Sequence, residues 1–246
     1  MVTAPAAYGP AELMAVAMAR LLRDGEVVFQ GVNSPLPMVA IALARRLHAP
    51  HLTYVNIAGG VDPTPRYLPD STTDAELAHG SASLFNNEDF YDLCARGGID
   101  TAFLGAVQID AQGRTNVSAI GDHAHPKVRL PGGGGAAMIM PTARRVILWR
   151  AQHSPRVFVE RLDFVTAAGN VDRVVTPLCV FQRRAGRLQV EAVFPTSSAA
   201  EIVARTGFPL DAARPWPALA PPTPDELAAL AAVDPRGVRH QEFRDG

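Results

Sequence analysis

The strongest constraint on this chain is a strand, a loop, a helix and a second strand packed into roughly thirty residues. Residues 26–30 (EVVFQ) read as a short buried strand, and 31–37 (GVNSPLP) as a turn. Residues 38–47 carry apolar side chains at helical spacing, and 52–57 (LTYVNI) form the next strand, ending at Ala58-Gly59-Gly60. That order predicts a βαβ unit and therefore a sheet that is largely parallel here. Ligands of such sheets sit beyond the carboxyl ends of the strands. Residues 31–34 and 56–60 are thus the expected edge of a site. Asn33 and Ser34 are candidate donors to a carboxylate there, with a plain turn as the alternative.

A second run, residues 101–138, carries the other constraint. It opens as a buried strand (Ala102, Phe103, Leu104), turns at residues 110–113 (DAQG), and ends in four consecutive glycines, Gly132 to Gly135. Glycine costs roughly 1 kcal/mol against alanine inside an element. Such a run is expected where backbone must approach a ligand closely, or where amide N–H groups must face an anion or oxyanion. Apolar residues 136–140 follow, so the loop is expected to open a helix. The alternative is a flexible surface loop.

The remaining chain reads as an ordinary α/β protein. A helix is expected over 11–23, closed by Gly25, and a short one over 87–95. Residues 61–85 read as an irregular excursion. A strand is expected at 146–149, and a hairpin of 174–182 with 188–194 around RRAGR. Ser198-Ala-Ala-Glu201 and Thr223-Pro-Asp-Glu226 are helix-opening signatures. Residues 212–222 form a proline-rich linker, and the tail after Pro235 is expected to be mobile or held by a partner. A net charge of −1 removes the electrostatic case for nucleic acid or an anionic membrane. No apolar run is long enough to span a bilayer. The N-terminus lacks a secretion pattern, and two cysteines, Cys94 and Cys179, make no disulfide framework. The chain is therefore expected to be cytoplasmic.

The pieces LGAVQID, GRTNVSAIGDHAHPK, the glycine run, RVILWRAQHSPRVFVERLDFVT and FPTSSAAEIVARTGF resemble the B subunit of family I CoA-transferases, the glutaconate CoA-transferases most of all. The resemblance runs from about residue 11 to 235. It implies a single CoA-transferase-like domain over 1–246 with a C-terminal extension at about 212–246. The implied fold is α/β, an open, largely parallel sheet with helices on both faces. It implies a larger A subunit as partner, as A2B2, and an acyl-CoA substrate. No cofactor is implied beyond the coenzyme A that the substrate carries, and no metal. His123 and His125 look like a ligand pair, but the family carries a similar stretch without metal. His123 and His125 are instead expected to hold the glycine loop or contact the substrate carboxylate, Lys127 and Arg129 to bind that carboxylate or a CoA phosphate, with solvated surface roles as the alternative, and Gly59, Gly60, Gly133, Gly134 and Gly135 to line the acyl-CoA site.

The same resemblance exposes a departure. Family members attack the thioester with a glutamate at the end of the second parallel strand. Counting from Ala49-Pro50, that position falls on Ile57, with Asn56 before it, and no acidic residue lies between Leu52 and Val61. Isoleucine has no heteroatom and an amide is too weak a nucleophile, so ordinary transfer is in doubt. Asn56, Ile57 and His125 remain the residues expected at the reacting centre. A site that binds a thioester and polarises its carbonyl suits chemistry through an enolate. The chain then resembles family members that decarboxylate 3-methylglutaconyl-CoA to 3,3-dimethylacrylyl-CoA. Alternatives are a working transferase, a CoA-thioester carbon–carbon hydrolase, or a scaffold subunit whose working groups lie on the partner.

Overall fold

Five strands run parallel through the centre of the molecule because each is apolar on both faces. A computed structural model describes residues 8–243; the first seven and last three residues of the expected domain lie outside that range. In chain order, α1 is Pro10–Arg20, β1 Val27–Gln30, α2 Pro35–Leu47 and β2 Thr53–Asn56. Two short strands follow, β3 (Gly60–Val61) and β4 (Ser83–Leu84), then α3 (Asn87–Ala95) and β5 (Thr101–Gly105). Four two-residue strands come next: β6 (Gln108–Ile109), β7 (Thr115–Asn116), β8 (Ala119–Ile120) and β9 (Val128–Arg129). The chain continues as α4 (Ala136–Thr142), β10 (Arg145–Trp149), β11 (Val171–Val175), β12 (Cys179–Arg184), β13 (Arg187–Val193), α5 (Ala199–Arg205) and α6 (Pro224–Val233).

The main sheet has the order β13-β12-β11-β10-β5-β1-β2-β3-β4. From β11 to β2 every neighbouring pair is parallel, and the outer strands on both sides are antiparallel. Successive residues of one strand face opposite layers. Val28, Phe103, Ile147 and Trp149 pack with α1, α2 and α6. Phe29, Ala102, Leu104, Val146 and Leu148 pack with α3, α4 and α5. The expected parallel centre with helices on both faces is what the chain builds. Among the parallel strands, the first crossover goes one way from β1 to β2 and the next goes the other way to β5. The strand order therefore reverses between β1 and β5, which is where doubly wound sheets open a crevice.

Several expectations are corrected. Helix α1 stops at Arg20, and Gly25 closes a turn at φ 78° rather than the helix itself. Helix α2 starts early, at Pro35, because prolines in a first turn give up no intrahelical bond. Residues 174–182 are not one strand. Thr176 breaks them: its N–H donates to the Cys179 carbonyl (3.0 Å), and its hydroxyl accepts from the N–H groups of Leu178 and Cys179 (3.2 and 3.1 Å). The first part becomes parallel β11 and only the second pairs in the hairpin. Residues 60–85 are less irregular than expected, holding β3, β4 and a 3₁₀ turn over Ala75–Ala78. Ser198 caps α5 through the Glu201 N–H, while Thr223 and Glu226 form the full reciprocal box at α6. The tail is held by its own chain. A 3₁₀ turn, Val238–Phe243, packs on α1 and α2, and Arg239 bonds Glu12 (2.7 Å) and Asp234 (2.9 Å). Burial pushes the thiols of Cys94 and Cys179 up to about 11 and about 12, so both are packing groups.

One buried histidine ties the layers at the β11 end. His153 is 4% exposed, with its ring nitrogens 3.0 Å from the hydroxyls of Thr176 and Thr206 and its ring beside Phe158. Burial, with nearby Arg205 adding to it, lowers its pKa from 6.5 to about 3. The unfolded chain therefore takes up this proton first as pH falls. The contribution of neutral His153 is whole above pH 6.5 and drains at roughly 1.4 kcal/mol per pH unit on the way to pH 3. Chemical-denaturation stability measured from pH 7 to 4.5 should fall by about 2–3 kcal/mol more in the native chain than in His153→Gln. Parallel curves for the two proteins would remove His153 as the cause.

Candidate functional site

A cavity of about 490 Å³ opens where the strand order reverses. Its walls come from the ends of β1 (Phe29, Gly31, Asn33), β5 (Leu104, Gly105, Val107) and β10 (Trp149, Arg150), from Phe90 and Tyr91 of α3, and from the glycine run. The local sequence explains the opening. Gly31 faces the Leu104 side chain so closely that a Cβ there would stand 3.1 Å from its Cδ2. Strand β5 also ends on a glycine, so the strand ends can approach each other with room left above them.

The glycine run forms one wall by a specific scaffold. Asn116 is fully buried. Its Nδ2 donates to Gln108 Oε1 and to the Ala119 carbonyl, both at 2.7 Å, and its Oδ1 accepts the Ser118 N–H at 2.9 Å. The Thr166 hydroxyl accepts the Val117 N–H at 2.9 Å and lies 2.7 Å from Ser118 Oγ. Gly132 N–H then donates to the Val117 carbonyl at 2.8 Å, tying the run to this network. Gly132 and Gly134 have φ of 95° and 50°, a region that side-chain-bearing residues rarely adopt. A Cβ at Gly133 would meet Thr166 at 2.7 Å, and one at Gly135 would meet the Tyr91 hydroxyl at 2.8 Å. Among the described residues, the N–H groups of Gly133, Gly134 and Gly135 have no acceptor. They are donors without an internal acceptor on residues that line the cavity, an arrangement suited to an oxyanion or a phosphate. Helix α4, which the run opens, is only seven residues long, so the loop backbone rather than a helix dipole supplies most of this character.

The expected residues separate into groups. Asn33, Ile57, Gly133, Gly134 and Gly135 share the cavity. Asn33 holds φ 51° and anchors through its N–H to Thr72 Oγ1 at 3.0 Å. Ser34 is buried at the start of α2, its hydroxyl donating to the Val32 carbonyl at 3.3 Å. Asn56 is the last residue of β2, one before cavity-lining Ile57, with its amide committed: Nδ2 donates to the Leu77 carbonyl (2.8 Å) and Oδ1 accepts the Gly60 N–H (3.2 Å). Gly59 and Gly60 do not line the cavity. A Cβ on them would strike the Phe85 carbonyl at 2.8 Å and the Leu77 carbonyl at 2.5 Å, so they are glycines because residues 75–85 pack against them. His125 and Lys127 belong to the β8–β9 hairpin, outside the cavity lining of this chain. His123 stacks on Phe164, 4.4 Å between centroids. Among the described residues no three His, Cys, Asp or Glu side chains come together as a metal-ligand group, and no helix is long and apolar enough to cross a membrane.

Two charged residues in the cavity went unnoticed in the sequence. Arg150 directly follows β10, so the rule that pointed to the ends of β1 and β2 points equally to it. Its Nε is buried without a partner, and among the described residues its guanidinium makes no ion pair. Glu242 reaches the same cavity from the C-terminal 3₁₀ turn. No local signal marks it, because its placement depends on how the tail packs.

Known proteins share this architecture. The chain is 34% identical to the B subunit of the 3-oxoadipate CoA-transferase of Pseudomonas knackmussii, over 94% of this chain and 95% of that one. It superposes on the crystal structure of the decarboxylase AibA/AibB with a TM-score of 0.89 at 36% identity, over 94% of this chain and 96% of that one. For glutaconate coenzyme A-transferase from Acidaminococcus fermentans the TM-score is 0.86 at 26% identity, over 98% and 99%. A family model described as Coenzyme A transferase matches residues 11–205, and the chain belongs to that family.

Proposed function

We propose that this chain is the B subunit of a two-component enzyme that decarboxylates a glutaconyl-type CoA thioester, 3-methylglutaconyl-CoA to 3,3-dimethylacrylyl-CoA and CO2. The observation that carries the reading is the cavity wall at Ile57. A CoA-transferase nucleophile is a carboxylate, and the wall there is Ile57 with Phe29, Leu104 and Phe90 around it. The likeness to the decarboxylase AibA/AibB supports the same reading. Coenzyme A enters as part of the substrate, and no further cofactor is required by the steps below.

The chemistry follows from where charge begins and ends. The substrate carboxylate starts charged, and its carbon–carbon bond breaks to release CO2. The electron pair passes into a dienolate conjugated with the thioester, so negative charge arrives on the thioester oxygen. A proton then adds to the carbon that lost CO2. Unpaired N–H donors of the glycine run and the Arg150 guanidinium favour the charge on arrival. An apolar wall at the departing carboxylate disfavours the starting state and not the dispersed one. Ile57 serves this by carrying no charge.

The partner is an A subunit, in keeping with the two-component naming of the relatives. Val32 and Tyr91, both cavity-lining, are 62% and 38% exposed, and Leu84 is 68% exposed on the edge strand β4. A second subunit over the cavity mouth covers such side chains and excludes water.

The test is the co-expressed complex with 3-methylglutaconyl-CoA, following CO2 and the thioester product. Ile57→Glu places a second negative charge beside the departing carboxylate and should slow CO2 release at least tenfold; an unchanged rate contradicts the role of the apolar wall. Gly134→Val puts a side chain on a cavity-lining residue where a Cβ meets nothing within 4 Å, and strains a left-handed position by about 1–2 kcal/mol. It should abolish turnover while the protein stays folded by circular dichroism. Retained turnover would return the run to a plain surface loop.

A further inference from the structure

Decarboxylation leaves a carbon that needs a proton, and the cavity of this chain contains one carboxyl group. Among the described residues, Glu242 is the sole Asp or Glu that lines it. The cavity also carries the hydroxyls of Tyr91 and Thr115, the latter committed to the Ala167 carbonyl at 3.3 Å, and both are far weaker acids than a carboxyl. Glu242 does not reach this place by accident of a loose end. Asp234 accepts the N–H groups of Val238 (2.8 Å) and Arg239 (3.1 Å), Arg239 bonds Glu12 of α1 at 2.7 Å, and Val238 is 1% exposed in the core. Phe243, next in the chain, packs against the same cluster as α1 and α2. Yet the Glu242 carboxyl itself makes no hydrogen bond or ion pair among the described residues, and Arg150 in the same cavity makes none with it. The anchoring falls on residues 238, 239 and 243 rather than on the carboxyl of Glu242. It is half-buried, so it communicates with solvent as well as with the cavity.

We infer that Glu242 is the proton relay of this site: a carboxyl that gives its Oε proton to the carbon vacated by CO2 and is reprotonated from water. The inference rests on the decarboxylase reading. In the balanced step, the carbon–carbon bond to the carboxylate breaks, the dienolate takes the electron pair, the Glu242 O–H bond breaks and a carbon–H bond forms. The thioester carbonyl re-forms, and the Glu242 carboxylate regains one proton from solvent. Overall one proton is consumed for each CO2 released. The C-terminal segment thereby supplies a working group to a cavity otherwise built from strand ends.

The experiment compares wild-type, Glu242→Gln and Glu242→Asp complexes on 3-methylglutaconyl-CoA. General acid catalysis contributes on the order of 10²–10⁴-fold, so Glu242→Gln should lose at least 100-fold in kcat with KM changed less than threefold. Imidazolium added to that variant should restore part of the rate, and Glu242→Asp should retain more than the glutamine variant. A purely structural residue would not show rescue by a small acid. Because the carboxyl makes no hydrogen bond or ion pair among the described residues, thermal stability should be the same in all three proteins. Wild-type rates in Glu242→Gln overturn the relay while leaving the decarboxylase reading intact. A covalent acyl or CoA adduct on the peptide carrying Glu242 also overturns it, since the group would then be a nucleophile of group transfer. A wild-type complex that releases no CO2 overturns both readings together.

Discussion

Everything in this molecule depends on the reversal of strand order between β1 and β5. The crossovers through α2 and through α3 leave in opposite directions, and the sheet cannot be covered at the point where they diverge. The cavity follows from that topology, and the residues around it follow from the cavity. Strand ends that must approach without filling the space carry glycine at positions 31 and 105. The fourth side is closed by a loop of four glycines, whose shape is dictated from below by buried Asn116 and half-buried Thr166. A polar network of this kind is costly if any member goes unpaired. Here both oxygen and nitrogen of Asn116 are engaged, which is why the loop can leave its own N–H groups free.

Stability and the site are served by different parts of the molecule. The two apolar layers, one under α1, α2 and α6 and one under α3, α4 and α5, supply the stability. The exposed pairs add little: Arg205 with Glu201 and His51 with Asp24 lie largely in solvent, and such pairs are worth at most about 1 kcal/mol each. The cavity runs against stability. It holds the Arg150 guanidinium, which makes no ion pair among the described residues, and left-handed backbone at Asn33, Gly132 and Gly134. Concentration of strain and unpaired donors in one place is what a ligand site looks like before its ligand arrives.

Much of the fold was legible because parallel strands announce themselves. VVFQ, TYVN, TAFLG and RVILW are short apolar runs bounded by turn residues, and each is a strand. The turn at residues 110–113 closes as expected, with Gly113 at φ 78° and its N–H on the Asp110 carbonyl. The failures have physical causes. Residues 174–182 read as one strand only if Pro177 is passed over: Thr176-Pro177 marks the break, and the Thr176 hydroxyl closes the turn on the N–H groups of Leu178 and Cys179. In the site, Ile57 and the glycine run were readable from strand ends and composition. Gly59 and Gly60 have a packing reason that sequence does not reveal, since glycine serves close packing as readily as ligand approach and residues 75–85 press on both. His125 and Lys127 sit in the β8–β9 hairpin and are not among the residues lining this chain's cavity. Glu242 could not be found from sequence at all, since its placement is set by contacts between residue 239 and residue 12.

The central claim is that this site works on its acyl-CoA substrate alone, with no acid to receive coenzyme A. The most direct measurement is mass spectrometry of every thioester formed by the purified two-component complex from 3-methylglutaconyl-CoA, with and without acetate. The account predicts 3,3-dimethylacrylyl-CoA at the same rate in both reactions and no acetyl-CoA. Acetyl-CoA formed only when acetate is present, with the dicarboxylic acid released intact, would contradict it.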